Sequence, residues 1–392
     1  MPENKLQRRR FSSIISFMSA LGEWLLGLAE SVNNGEPVHF VTRRLLAPGL
    51  TPLDMEGFVR VQGVGPIYRP GSTPESMSVL QWCAGGEGGD DLKDAELGAS
   101  IGAVLTLLTD RRIEILEELP ASMEGEPEHV TFISYTSVFD RRLVAPVEVV
   151  DFDATLRKFL GKLISIPEER RTAVAAALDL HYGSALLFEK DLSAAYTLAI
   201  AGIEALSRAF GAPPSDWSDW DQSATWDKFS RRHKLPPELY DALKAKLMKN
   251  QHLRLKETFA QYGSYRLPDD FWDDEWNEWI YNVRMPDGVY DGGDWSSRKR
   301  VRDYLTADRE VLRAALRRSY DARSGFVHTG NRTVNTSSEL YSKIHASTDD
   351  RPLSYACIRS ILSKILREEI DKHADTADLP DVTLTHGSPE ET

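Results

Sequence analysis

The feature that most constrains this chain is a change of character near residue 150. Before it, short β-prone segments alternate with Gly- and Pro-rich connections, and after it the pattern turns helical. Strands collected at one end and helices at the other do not wind a βαβ sheet, so the expected class is α+β. At 392 residues the chain exceeds one ordinary helical domain and suits two. The boundaries read from composition are a mixed α/β domain over 1–150, with a sensing or regulatory character, then a helical domain over 151–373. An acidic, polar tail over 374–392 carries too little apolar residue to fold.

In the first part, Lys5, Arg8, Arg9 and Arg10 precede an apolar run from Phe11 to Ala29. This has the outline of an export signal, even a twin-arginine one. Glu23 interrupts it, however, as do Ser12, Ser13, Ser16 and Ser19, and no small-residue cleavage site follows. Phe11, Ile14, Ile15, Met18, Leu21 and Leu25 recur at helical spacing, so an amphipathic helix over 11–29 is expected, neither exported nor spanning a membrane. Strands are expected at Val38 to Leu46, Phe58 to Gln62, Ser78 to Cys83, Ile113 to Leu116, Val130 to Tyr135 and Val147 to Val150. A helix from Asp94 to Leu108 divides them, with Leu97, Ile101, Val104, Leu105 and Leu108 on one face. The glycines between Gly85 and Gly89 are followed by Asp90 and Asp91 rather than Lys-Ser/Thr, so they form a loop and not a phosphate cradle.

In the second part, Glu168 to Lys190 and Ser193 to Phe210 read as helices, the latter stopped by Gly211, Pro213 and Pro214. Further helices are expected at Trp226 to His233, Pro237 to Met248, Leu253 to Tyr262, Asp270 to Val283, Arg298 to Ala322 and Leu353 to Lys372. Trp217, Trp220, Trp226, Trp272, Trp276 and Trp279 lie among acids such as Asp216, Asp219, Asp273 and Asp274. Those acids repel phosphate, so core packing or a protein-binding surface is the better reading than a base-stacking platform.

The net charge of −13 excludes a protein coated in nucleic acid, but one segment reverses the sign. Between Arg298 and Arg332, ten Lys and Arg residues stand against four acids. Exposed charges act over roughly 10 Å, so such a patch can bind RNA locally, with Arg313, Arg317 and Arg318 as the phosphate contacts. The two cysteines, Cys83 and Cys357, make neither a disulfide framework nor a metal knuckle, which fits a reducing cytoplasm.

Within that basic segment, LRRSYDARSGFVHTG places Arg323 ahead of His328 with four residues between them. RNA is cut without a metal when a base takes the 2′-OH proton, an acid protonates the departing 5′-oxygen, and a cation steadies the phosphorane. Histidine, with a reference pKa of about 6.5, suits the proton transfers. Arginine stays charged, and its planar fork grips two phosphate oxygens. On an unbroken helix the pair would stand about 140° apart. Gly325 is therefore expected to end or kink the helix between them, and Ser324 to cap the next segment or bond substrate. The spacing alone is weak, since Arg367 and His373 give a second match to an Arg-x4–6-His pattern, among carboxylates near the chain end.

Two motifs together resemble the HEPN superfamily (higher eukaryotes and prokaryotes nucleotide-binding), and within it the Apea-like group. One runs from Ser319 to Gly330, similar to the family's tyrosine, Arg-Ser and Val-His-Gly elements, with Thr329 standing between histidine and glycine. The other is Glu204-Ala205-Leu206-Ser207-Arg208, similar to the family's Glu-x3-Lys/Arg element. The resemblance covers roughly residues 155–372 and implies an all-α bundle that dimerises, so that two Arg/His motifs face one cleft. It implies metal-independent endoribonuclease activity through Arg323 and His328, leaving a 2′,3′-cyclic phosphate and needing no cofactor. It places Glu204 and Arg208 as supports that orient Arg323 through an ion pair, with Ser324 in a polar position beside it. It also implies a toxin or anti-phage setting with an antitoxin or regulatory protein as partner. The insert from Pro213 to Asp294 departs from a compact bundle. A non-catalytic module binding nucleotide, RNA or protein, and a structural protein built on the tryptophan-rich helices, stay open as rival readings.

Overall fold

The computed structural model describes residues 21–25, 27–28, 38–48, 59–67, 75–85, 91–110, 112–116, 152–188, 190–274, 276, 300–330 and 346–374, and the single positions 31, 34 and 344. It is an α+β chain, mostly helical with one small antiparallel sheet. The chain divides into two compact units. One holds residues 1–182, 277–297 and 370–392, and the other holds 183–276 and 298–369. Among the described residues no helix is long and apolar enough to cross a membrane.

In the first unit, residues 21–25 and 27–28 are helical, with Leu21, Trp24, Leu25 and Leu28 buried, as the amphipathic spacing requires. The sheet has the order β2-β3-β1-β4, with β1 Val38–Pro48, β2 Val59–Ile67, β3 Glu75–Gly85 and β4 Glu114–Leu116. Its register puts Val41 and Val59 on either side of Trp82, and Val61 beside Leu80. These all lie on one buried face, the result of a side-chain period of two. The strand β2 bulges between Gly63 and Gly65, where Gly65 takes φ +150, a conformation that favours glycine.

Helix α1, Asp91–Thr109, packs close to Trp82 through Gly98, and a Cβ on Gly102 would lie 2.6 Å from the Tyr182 hydroxyl. From Leu97 to Leu107 only Ala99 is exposed, so the helix is buried nearly all round rather than on one face. Leu108 is only partly covered. Helix α2, Phe152–Ser165, and α3, Glu168–Leu187, meet at Pro167. There Arg171 donates to the carbonyls of Ile164 and Ile166. The strands expected at 130–135 and 147–150, the boundary expected at residue 150 and the tail beyond 374 lie outside the described residues.

The second unit is built on α4, Leu192–Phe210, whose start is capped by Asp191 accepting from the Ala194 amide at 3.1 Å. Around it pack α7, Leu255–Tyr265, α9, Arg309–Thr329, and α10, Tyr355–His373. Glycines permit the closest approaches. A Cβ on Gly263 would stand 3.0 Å from the Leu316 side chain, and one on Gly202 2.8 Å from Leu362. The chain entering α10 is pinned from two sides, with Tyr196 donating to the Leu353 carbonyl at 3.0 Å and the Leu353 amide donating to Ser319 Oγ at 2.9 Å. Between α4 and α7 lie the hairpin helices α5, Ser223–His233, and α6, Pro237–Lys249.

Two expected helices differ. The stretch Arg298 to Ala322 is not one helix. A single turn, α8, Val301–Tyr304, is followed by extended Leu305, fully buried, and then by a new start at Asp308. The Asp308 side chain accepts from the amides of Glu310 and Val311, a cap that favours starting α9 there. Of Asp270 to Val283, the described part is a 3-10 turn, Asp269–Asp273, closed by extended Asp274, and 277–283 lie outside the described residues.

Burial pushes the phenols of Tyr182, Tyr196 and Tyr262 above their ordinary value, and for Tyr262 the neighbouring Glu369 adds to the effect. Raised native values keep these tyrosines protonated while the unfolded chain ionises at about pH 10. Their contribution to stability is thus intact below about pH 10 and falls as pH rises beyond it. An alkaline titration followed at the phenolate absorbance should show a cooperative step coincident with loss of helicity. Smooth ionisation of every tyrosine at about pH 10 would contradict this packing.

Candidate functional site

The site candidates from the sequence converge on α4 and α9, with α7 beside them. Glu204 is buried on α4, at 6 % exposure. Its Oε1 accepts from Arg208 one turn on, and its Oε2 lies 3.7 Å from Arg323 Nη2. The second distance is an ion pair rather than a hydrogen bond. The side chain of Arg208 is half exposed, and that of Arg323 is three-quarters covered. The Arg323 guanidinium also stands 5.8 Å from the Tyr320 ring, within cation–π range, and Tyr320 leans on Phe259 of α7 at 5.4 Å. Burial, reinforced by the charge of Glu204, raises the Tyr320 phenol above its ordinary value, and Arg323 opposes that rise. Arg323 is therefore oriented from two sides by Glu204 and Tyr320.

His328 and Ser324 are placed differently. His328 is exposed on the last turn of α9, and among the described residues its side chain makes no hydrogen bond or ion pair. A basic side chain suits that end of a helix, where unsatisfied carbonyls leave partial negative charge. Ser324 is partly exposed and forms no side-chain hydrogen bond among the described residues.

Gly325 does not break the helix. The α-helix runs through it to Thr329, and Gly330 ends it in the left-handed region at φ +69, its amide donating to the Phe326 carbonyl at 2.9 Å. The residue that needs glycine is Gly330. A glycine inside a helix costs about 1 kcal/mol relative to alanine, which the packing of α9 absorbs. Arg323 and His328 of one chain consequently leave the helix about 140° apart.

The three arginines expected to hold RNA phosphates are occupied. Arg313 and Arg317, one turn apart on α9, both donate to Glu257 Oε2, at 3.2 and 2.5 Å. Glu257 itself, on α7, is fully buried. Arg318 donates to the backbone carbonyls of Arg351 and Ser347 at 2.8 and 3.0 Å. These side chains hold helices and a loop together rather than standing free for a ligand. Glu257 carried no signal of its own in the sequence. The visible hint was the four-residue spacing of Arg313 and Arg317, which puts both on one helix face.

The second Arg/His match near the chain end is engaged elsewhere, since the His373 ring meets the Arg170 side chain. Nearby Glu369 is buried and accepts from Tyr262 and Arg266, both at 2.6 Å. Of the tryptophans, Trp220 and Trp272 are buried, and Trp217 donates to Asp227 at 3.1 Å. Trp279 lies outside the described residues. No set of three or more His, Cys, Asp or Glu among the described residues is grouped to hold a metal ion. Compared with known proteins, the chain matches no family model, no curated protein and no solved structure.

Two stability measurements test this geometry. Glu257→Ala leaves two arginines facing the vacated carboxylate position and should destabilise the protein by about 3 kcal/mol in urea unfolding, against a neutral result if the pairs were solvated. A Cβ on Gly325 meets nothing within 4 Å. Gly325→Ala should therefore raise stability by about 0.5–1 kcal/mol, where a functional kink would make it destabilising.

Proposed function

We propose that the chain is a metal-independent endoribonuclease of the HEPN type, with an N-terminal mixed domain that senses or regulates and a C-terminal HEPN-like helical bundle that cuts RNA. The observation that carries this reading is the state of the pair on α9. Arg323 is positioned by Glu204 and Tyr320, and His328 is exposed at the end of the same helix. In the reaction the substrate 2′-oxygen attacks phosphorus, a histidine takes its proton, and a second, protonated histidine gives a proton to the departing 5′-oxygen as its bond to phosphorus breaks. The products are a 2′,3′-cyclic phosphate and a 5′-hydroxyl. Arg323 grips the non-bridging oxygens, and its fixed charge is what a phosphorane needs.

Because the two side chains diverge within one helix, the complete site in this reading belongs to a homodimer, in which the last turns of two α9 helices face one cleft. The setting is a cytoplasmic toxin or anti-phage effector restrained by an antitoxin or regulatory protein. The same divergence favours a second reading, a non-catalytic module that binds RNA, nucleotide or protein.

An assay with single-stranded or transfer RNA in excess EDTA separates the two. Cleavage should proceed, leave cyclic phosphate ends, and fall by about 10²–10⁴-fold in His328→Ala and in Arg323→Ala. Activity that survives both substitutions, or that EDTA abolishes, would refute the catalytic reading. Binding without cleavage, unchanged in His328→Ala, selects the second.

A further inference from the structure

We infer that the α5–α6 hairpin is a docking surface for single-stranded RNA, which deepens the proposed function and rests on it for the identity of the ligand. The hairpin is poorly packed for an element made only to stabilise the fold. Helix α6 buries none of its residues, and α5 buries only Ser223 and Ser230. It is held together by its own cluster. Trp217 and Tyr240 both donate to Asp227, at 3.1 and 2.5 Å, and the Lys244 ammonium lies 4.4 Å from the Tyr240 ring.

A second aromatic group on α5 has no part in that cluster. Trp226, Phe229 and His233 follow each other at i, i+3 and i+7, so they form one stripe along the helix. Trp226 meets Phe229 edge-on at 5.8 Å, and the Phe229 and His233 rings are 4.4 Å apart. Phe229 is 44 % exposed and His233 is exposed.

The charge on the hairpin itself is basic, and the exposed acids Asp216 and Asp219 that told against a base-stacking platform lie before it, beside Trp217. Residues 223–250 hold seven Lys and Arg against three acids, in a chain whose net charge is −13. Exposed Arg232 lies about 60° round the helix from Phe229. The one acid on α5, Asp227, is spent on Trp217 and Tyr240, and the Tyr240 hydrogen bond lowers its pKa.

Unstacked bases present π-faces that stack on protruding rings, while flanking cations follow the backbone. A duplex hides those faces. An amphipathic peptide would need a groove, whereas the stripe runs along a helix that buries only Ser223 and Ser230. This hairpin, rather than the arginines of α9 bound to Glu257 and to backbone carbonyls, supplies a positive surface among the described residues.

The test is fluorescence anisotropy with a fluorescein-labelled 2′-O-methyl oligouridine, which lacks the attacking hydroxyl and so reports binding alone. Wild type should bind it. Phe229→Ala and Arg232→Ala should each weaken binding about tenfold, with Phe229→Tyr restoring it. The slope of log affinity against log salt should drop by about one in Arg232→Ala and stay unchanged in Phe229→Ala. Wild-type affinity in both alanine variants would overturn the inference, as would equal competition by duplex RNA or binding of polyglutamate in place of the oligonucleotide. Cleavage at unchanged KM in those variants would remove the docking surface and leave the catalytic reading standing. Oligonucleotide binding lost in Phe229→Ala, in a protein that cuts no RNA, would do the reverse.

Discussion

A fully buried carboxylate, Glu257, sits between two arginines of α9, and much of the second unit depends on it. Taking an ion out of water costs several kcal/mol even after relaxation. Glu257 is therefore tolerable only with both Arg313 and Arg317 in place. Because they are one turn apart, satisfying both sets the rotation of α9 about its own axis. Gly263, on the same helix as Glu257, lets α7 come close enough for the contact, with Leu316 filling the space its missing side chain leaves. Rotation and separation of the two helices are thus set together, by charge at one turn and by the absence of a Cβ nearly two turns on.

That rotation determines what the last turns of α9 present. Tyr320 is directed onto Phe259, Arg323 is brought to Glu204 of α4, and His328 is left at the exposed end. Glu204 serves two arginines at once, one within its own helix and one across to α9. A carboxylate shared in this way holds Arg323 as a charged, oriented fork while part of it stays accessible. Such a group suits phosphate binding better than a freely rotating surface arginine, since less rotamer entropy is lost when a ligand arrives.

Much of this was legible beforehand, and the failures have common causes. The end of α4 was readable from Gly211 and the prolines, because a helix stop is local chemistry. The strands β2 and β3 were readable from their β-prone residues. The break at Leu305 was not, because burial of that leucine and capping by Asp308 outweighed a run of good helix formers. Gly325 was misread in the opposite direction. Its conformational freedom permits a kink without requiring one, and an amphipathic helix packed on two others continues through it.

The sequence by itself determined the mixed class of the chain, the place of most of the described strands and helices, and where the sign of the charge reverses. Tertiary structure alone decided what those charges do. Arg313 and Arg317 face an acid 56 and 60 residues away, and no periodicity reports a partner at such distance. The helical repeat reports only which residues share a face. Whether that face meets water, phosphate or a buried carboxylate depends on which other helix arrives there.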